Sequence, residues 1–266
     1  MQYKFKAFLI TIILAFCLPL FAAEQEVAIN NGNVSPLSLL FIPTKDSTVS
    51  TNTILKRIIL AFSDEMPDVI VINGRSEMTD AEKRMFYDYT VREGEDYLIL
   101  KKTDIKTNAK IVPYSQNKDI DVAFLKDPTQ YPQRRNSKDA ESIVNDLNLT
   151  DEPTILCLSL AERSPYDLSL WAEPSRNDVK SYWKTIDSLM TNGFYDAIEN
   201  SRQNTSALGP IYSDWTYKSP TDDEFRLDFL LLRNVAVSDI YTMDLPILSD
   251  TTGIKRRGMY THLFTL

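Results

Sequence analysis

Histidine occurs once in the 266 residues, as His262. A mechanism that needs two imidazoles, one to accept a proton and one to donate it, cannot be assembled from a single copy. Cysteine is almost as scarce, with Cys17 and Cys157 only. Cys17 lies in a segment with a basic start (Lys4, Lys6), an apolar run from Ala7 to Phe21, and small residues at Ala22-Ala23 before Glu24. That order describes a secretory signal peptide, residues 1–23, and the run is short for an uncleaved anchor of about 20 residues. Phe16 is too bulky to precede a lipid-modified Cys17. Cleavage leaves Cys157 alone, so an internal disulfide is excluded, and its apolar setting predicts a buried structural thiol. Excess positive charge is also missing. Cleavage would take two of 29 basic residues and none of the 37 acidic ones, leaving 27 against 37 and a net charge of −10. Such a surface disfavours avid binding of nucleic acid but permits a small phosphate-containing ligand or a protein partner. No transmembrane span is expected after cleavage, and the mature chain is expected to be secreted or periplasmic.

What remains, residues 24–266, has no internal repeat or low-complexity linker and is expected to form a single domain. Short apolar runs predict buried strands at Leu37–Ile42, Pro67–Ile72 and Thr154–Leu160. Tyr97–Lys102, Ala109–Val112, Ile120–Leu125, Trp215–Lys218, Arg226–Arg233, Ala236–Met243 and Met259–Leu266 are further strand candidates. Ser50–Ser63 carries Ile54, Leu55, Ile58, Ile59 and Phe62 at helical spacing, with Ser50 or Thr51 as N-cap. Thr79–Val91, with Thr79 and Glu82 spaced as a capping box, predicts a second helix. Ser137–Leu147 and Asp178–Met190 predict two more, the last stopped by Asn192-Gly193. The order of elements suits an α/β protein in which two packed sheets are flanked by helices.

Several segments together resemble the endonuclease/exonuclease/phosphatase family. Pro67-Asp-Val-Ile-Val-Ile72 is similar to its second strand, Ile155-Leu-Cys-Leu-Ser-Leu-Ala161 to its central strand, Gly193-Phe-Tyr-Asp-Ala197 to its Gly-Phe-x-Asp-Ala segment, and Arg226-Leu-Asp-Phe229 and Ser249-Asp250 to its closing motifs. The resemblance implies a two-sheet β-sandwich flanked by helices in four layers, and a phosphoesterase that works through Mg²⁺ or Mn²⁺. It also implies where the chain departs from that chemistry. Pro43-Thr44 stands where the family ends its first strand in Asn. Gly74 falls at the metal-binding Glu, Ser159 and Ala161 at an Asp and an Asn, and Thr251 at the final His. The loop 127–136 holds no histidine where the family places one.

Phosphodiester hydrolysis needs charge neutralisation at the phosphoryl oxygens and a proton carrier within hydrogen-bond reach. Gly74 and Ala161 offer no side-chain oxygen, and Thr251 takes up no proton near neutral pH. The expectation is therefore a catalytically degenerate protein acting as a binding or structural module, with no cofactor. Arg226, Asp228 and Asp250 remain as vestiges of a catalytic site. The alternative is an active metal-dependent phosphodiesterase or nuclease with a site rearranged around Glu77, Asp228 and Asp250. At the level of residues alone, Arg226 and Asp228 also fit a cross-strand ion pair at a sheet edge. Lys255-Arg-Arg257 fits a solvated hairpin turn, and His262 a surface or half-buried strand position.

Overall fold

A computed structural model describes residues 36–44, 48–116, 145, 152–162, 184–204, 215–221, 224–243 and 254–265, all within Pro36–Leu266. The expected signal segment, the strand at Ile120–Leu125 and the helix at Ser137–Leu147 (Asn145 apart) lie outside them. The first sheet holds β1 (Leu37–Pro43), β2 (Val69–Asn73), β3 (Tyr89–Glu93), β4 (Tyr97–Lys102), β11 (Val235–Met243) and β13 (Gly258–Thr265), in the order β11-β13-β1-β2-β4-β3. The second holds β5 (Lys110–Ser115), β6 (Thr154–Ser159), β7 (Tyr195–Asp196) and β10 (Asp228–Arg233), in the order β5-β6-β10-β7. A third, small sheet joins β8 (Tyr217–Lys218), β9 (Glu224–Phe225) and β12 (Lys255–Arg256) in the order β12-β8-β9.

Strand alternation explains how the two large sheets pack. Successive side chains of a strand point to opposite faces. Leu37, Leu39 and Phe41 of β1, Val69 and Val71 of β2, Ile155 and Cys157 of β6, and Leu230 and Leu232 of β10 form one core between the sheets. The alternate residues Leu40, Ile42, Ile70 and Ile72 pack on the outer side of the first sheet, against Ile54, Leu55 and Ile58 of helix α1 (Thr51–Ala61). Leu156, Leu158, Phe229 and Leu231 do the same on the second sheet, against Ile186 and Leu189 of helix α3 (Lys184–Thr191). Strands buried on both faces read as unbroken apolar runs, and each such side chain contributes about 1.5–3 kcal/mol on burial.

Local signals set the helix ends. Ser50 caps α1 by accepting from the Thr53 amide, and Thr79 and Glu82 form the expected capping box of α2 (Asp80–Met85). That helix is shorter than its sequence suggests. It stops at Phe86, because Tyr89-Thr-Val-Arg-Glu93 leaves it to pair antiparallel with β4. α3 ends before Gly193, whose φ of 83° suits glycine, and α4 (Ala197–Asn204) follows β7 directly.

Candidate functional site

The carboxyl ends of β1, β2, β5 and β6 and the start of β10 meet at one mouth of the sandwich. Alternation continues the inward face of β2 to Asn73, that of β5 to Ser115, that of β6 to Ser159 and that of β10 to Asp228. Ser115, Ser159 and Asp228 stand in one row across three strands, since Ser159 is in register with both of the others. Asn73, fully buried, reaches across from the first sheet. Its Nδ2 donates to the carbonyls of Cys157 (2.9 Å) and Tyr114 (3.0 Å), with the Ser159 hydroxyl 3.5 Å away. Thr44 closes the end of β1 by donating from its backbone N (2.8 Å) and its Oγ1 (2.6 Å) to the Asn73 carbonyl. Gln116 accepts from the Ala161 amide at 3.0 Å. Among the described residues, Asn73 Oδ1 and Ser115 Oγ are buried without a hydrogen-bond partner.

Both charged residues of the Arg226-Leu-Asp-Phe229 segment are consumed in buried ion pairs, though not with each other. Asp228, wholly buried, accepts through Oδ2 from Arg256 Nη1 at 2.8 Å, and Arg256 is itself only 3% exposed. The Arg256 guanidinium also lies over the Tyr217 ring, 4.8 Å from its centroid. The Thr216 hydroxyl oxygen accepts from the Leu227 and Asp228 amides, both at 3.0 Å, and so fixes the entry to β10. Burial pushes the Asp228 carboxyl above the usual carboxylate range in spite of Arg256 beside it. One guanidinium does not fully offset the loss of water. Arg226 Nη2 pairs with both oxygens of Asp196, the Oδ2 contact at 2.6 Å, and Arg226 Nη1 lies 3.7 Å from Glu199. Asp196 Oδ1 also accepts from the Ile198 amide (3.0 Å) at the start of α4, which ties β7, α4 and the Arg226 segment together.

These pairs correct two expectations. Arg226 and Asp228 do not bridge a sheet edge, since β10 lies between β6 and β7. Lys255-Arg-Arg257 is no solvated turn. Arg256 is buried on β12, and Arg257 stacks over Trp215 at 4.0 Å. A carboxylate buried at the head of an apolar strand requires a cation nearby, and that requirement is the one sequence signal pointing to Arg256. Its partner in Asp228 is 28 residues away, so no local pattern marks the pair. Thr216 and Asn73 carry no local signal for the same reason, and Asp196, although part of the Gly193–Ala197 segment, has its partner Arg226 30 residues on.

Of the other candidates, Asp250 lies outside the described residues. Glu77 is exposed and lines a cleft with Ser50, Thr51, Asn52, Met78, Thr79 and Glu82 at the starts of α1 and α2. Gly74 has a φ of 87° and donates its amide to the Asp96 carbonyl at 2.9 Å. The position to which the sequence resemblance assigns a metal-binding Glu is thus a turn built for glycine. A divalent cation of this class needs several anionic oxygens around one point. No group of three or more His, Cys, Asp or Glu residues converges among the described residues, and Asp228 and Asp196 already face guanidinium groups. The described residues do not fit such an ion.

No family model and no curated protein matches the sequence. Solved structures do match. An AP endonuclease from Archaeoglobus fulgidus superposes with a TM-score of 0.53 at 12% identity, over 86% of this chain and 100% of that one. The 3′ phosphatase NExo from Neisseria, bound to product DNA hairpin, gives a TM-score of 0.52 at 12% identity, over 85% of this chain and 98% of that one. The fold is the endonuclease/exonuclease/phosphatase sandwich. At this identity the likeness extends to the scaffold, and the chemistry has to be judged from the residues at the mouth.

Proposed function

We propose that this chain is an exported member of the endonuclease/exonuclease/phosphatase family whose hydrolytic site is degenerate, and that it acts as a binding or structural module. The observation that carries this reading is the Asp228–Arg256 pair. The carboxylate that the family's closing motifs devote to catalysis is here buried against a guanidinium at 2.8 Å. Arg256 supplies a permanent positive charge in a fixed fork and donates no proton near neutral pH. It therefore replaces neither a proton carrier nor a metal's polarised water. Gly74 and Ala161 support the same conclusion, because neither can ligate a cation through its side chain.

The mature protein, residues 24–266, should be assayed with Mg²⁺ or Mn²⁺ on DNA, sugar phosphates and a chromogenic phosphodiester. No turnover above the protein-free control is expected. Turnover that Asp228→Asn abolishes, in a variant that keeps its circular dichroism spectrum, would overturn the proposal.

A further inference from the structure

The outer face of the first sheet carries the chain's single imidazole and a run of touching rings. His262 on β13 is in register with Ser38 on β1 and with Asp239 on β11. Asp239 Oδ1 lies 2.8 Å from His262 Nδ1 and orients the ring. Tyr260 meets His262 edge-on at 5.2 Å and also contacts Tyr241 (5.5 Å) and Phe62 (5.1 Å). Tyr260 is buried, whereas Tyr241 is 49% exposed and the Asp239 side chain 50% exposed. Burial first, and then the carboxylates of Glu65, Asp68 and Asp239, hold the Tyr260 phenol above its ordinary range, against a hydrogen bond with Ser38. Asp68 is answered by Lys102 at 2.9 Å. Glu65 and Asp239 are the exposed carboxylates of this patch.

The strand under these groups is also an edge. β11 runs for nine residues, and among the described residues its only strand partner is β13. An edge strand offers backbone donors and acceptors to an extended chain, apart here from the Val235 and Asp239 carbonyls, which accept from the Tyr195 and Thr261 hydroxyls. Pairing of β11 with a second copy is disfavoured by charge. Asp239 is the middle residue of Val235–Met243, so a two-fold antiparallel pair would set two carboxylates side by side. The adjoining stretches of this chain are equally unsuited. Residues 24–35 carry Glu24 and Glu26, residues 244–253 carry Asp244 and Asp250, and neither holds a basic residue.

We propose that β11 and its aromatic strip form a docking edge for an extended basic segment of a partner protein. The segment's backbone continues the sheet, and one lysine or arginine side chain lies over Tyr241 between Glu65 and Asp239. A cation over a tyrosine face contributes about 0.5–2 kcal/mol. The site lies on the outer side of the first sheet and uses none of the residues named at the mouth.

The probe is a fluorescein-labelled peptide of five Lys-Val repeats, with five Glu-Val repeats as its charge-reversed control, followed by fluorescence polarisation at low salt. Saturable binding of the Lys-Val peptide alone is expected, weakened about tenfold by Tyr241→Ala (a loss of about 1.4 kcal/mol) and further by Glu65→Gln with Asp239→Asn. Because a net-acidic protein attracts any basic peptide, hydrogen exchange on the wild-type protein supplies the second readout. The Lys-Val peptide should slow exchange at β11 and leave β3, the opposite edge, unchanged. Absence of saturation, equal binding of both peptides, indifference to Tyr241→Ala, or protection away from β11 would each overturn the proposal. So would sedimentation showing that the chain pairs with itself through this edge.

Discussion

Asp228 and Arg256 are each tolerable inside the protein because the other is there. Removing one partner of a buried pair costs about 3–5 kcal/mol, whereas replacing both with apolar residues of similar size is often neutral. Asp228→Leu and Arg256→Met should each lower the unfolding free energy in urea by that order, and the double variant should recover more than half of the summed loss. Additive losses would show that the two side chains do not depend on each other. Asp68 gives a pH-dependent counterpart. Burial opposes its ionisation, but the Ser38 amide, the Lys102 ammonium and the Ser38 hydroxyl together hold its carboxyl below the ordinary range. A depressed folded-state value stabilises the protein above the unfolded value, about 3.9, and the contribution is lost as pH falls through the folded value. Wild type should therefore exceed Asp68→Asn in stability at pH 7, and the gap should close below about pH 4. A gap that widens on acidification would contradict this assignment.

Gly74 and Asn73 end one strand and decide what the mouth can hold. A φ of 87° at Gly74 disfavours any side chain, so Gly74→Glu, which introduces the glutamate that the sequence resemblance assigns to this position, should destabilise by about 1–2 kcal/mol and confer no Mn²⁺ binding. Asn73→Ala removes the amide that joins the two sheets through the Cys157 and Tyr114 carbonyls. A loss of about 2 kcal/mol is expected, read as a lower midpoint in thermal unfolding. The elements the sequence announces best are the double-faced strands, since Leu37–Pro43, Val69–Asn73 and Thr154–Ser159 have no polar side of their own. The Thr79–Glu82 box is equally plain, because capping is local. The end of α2 is not, since Tyr89–Glu93 becomes a strand only through its pairing with Tyr97–Lys102. Two-residue strands such as Lys255–Arg256 carry no periodicity at all, so the burial of Arg256 was invisible until Asp228 stood next to it.

At the scale of the whole molecule, the described residues set this mouth on the endonuclease/exonuclease/phosphatase sandwich fold. Two sheets and a shared core superpose on DNA-processing phosphoesterases over most of the chain. Asp228 at the mouth is answered from within by Arg256, while Arg226 is engaged with Asp196 on the outer side of the second sheet. A net charge of −8 for the full sequence adds no general affinity for phosphate backbones. If the mouth has exchanged a metal for the Arg256 guanidinium, divalent cations should have little to hold. The direct measurement is a calorimetric titration of the mature protein with Mn²⁺, beside Asp228→Asn. No saturable heat is expected at submillimolar Mn²⁺ in either protein. Saturable binding to the wild type that Asp228→Asn removes would contradict it.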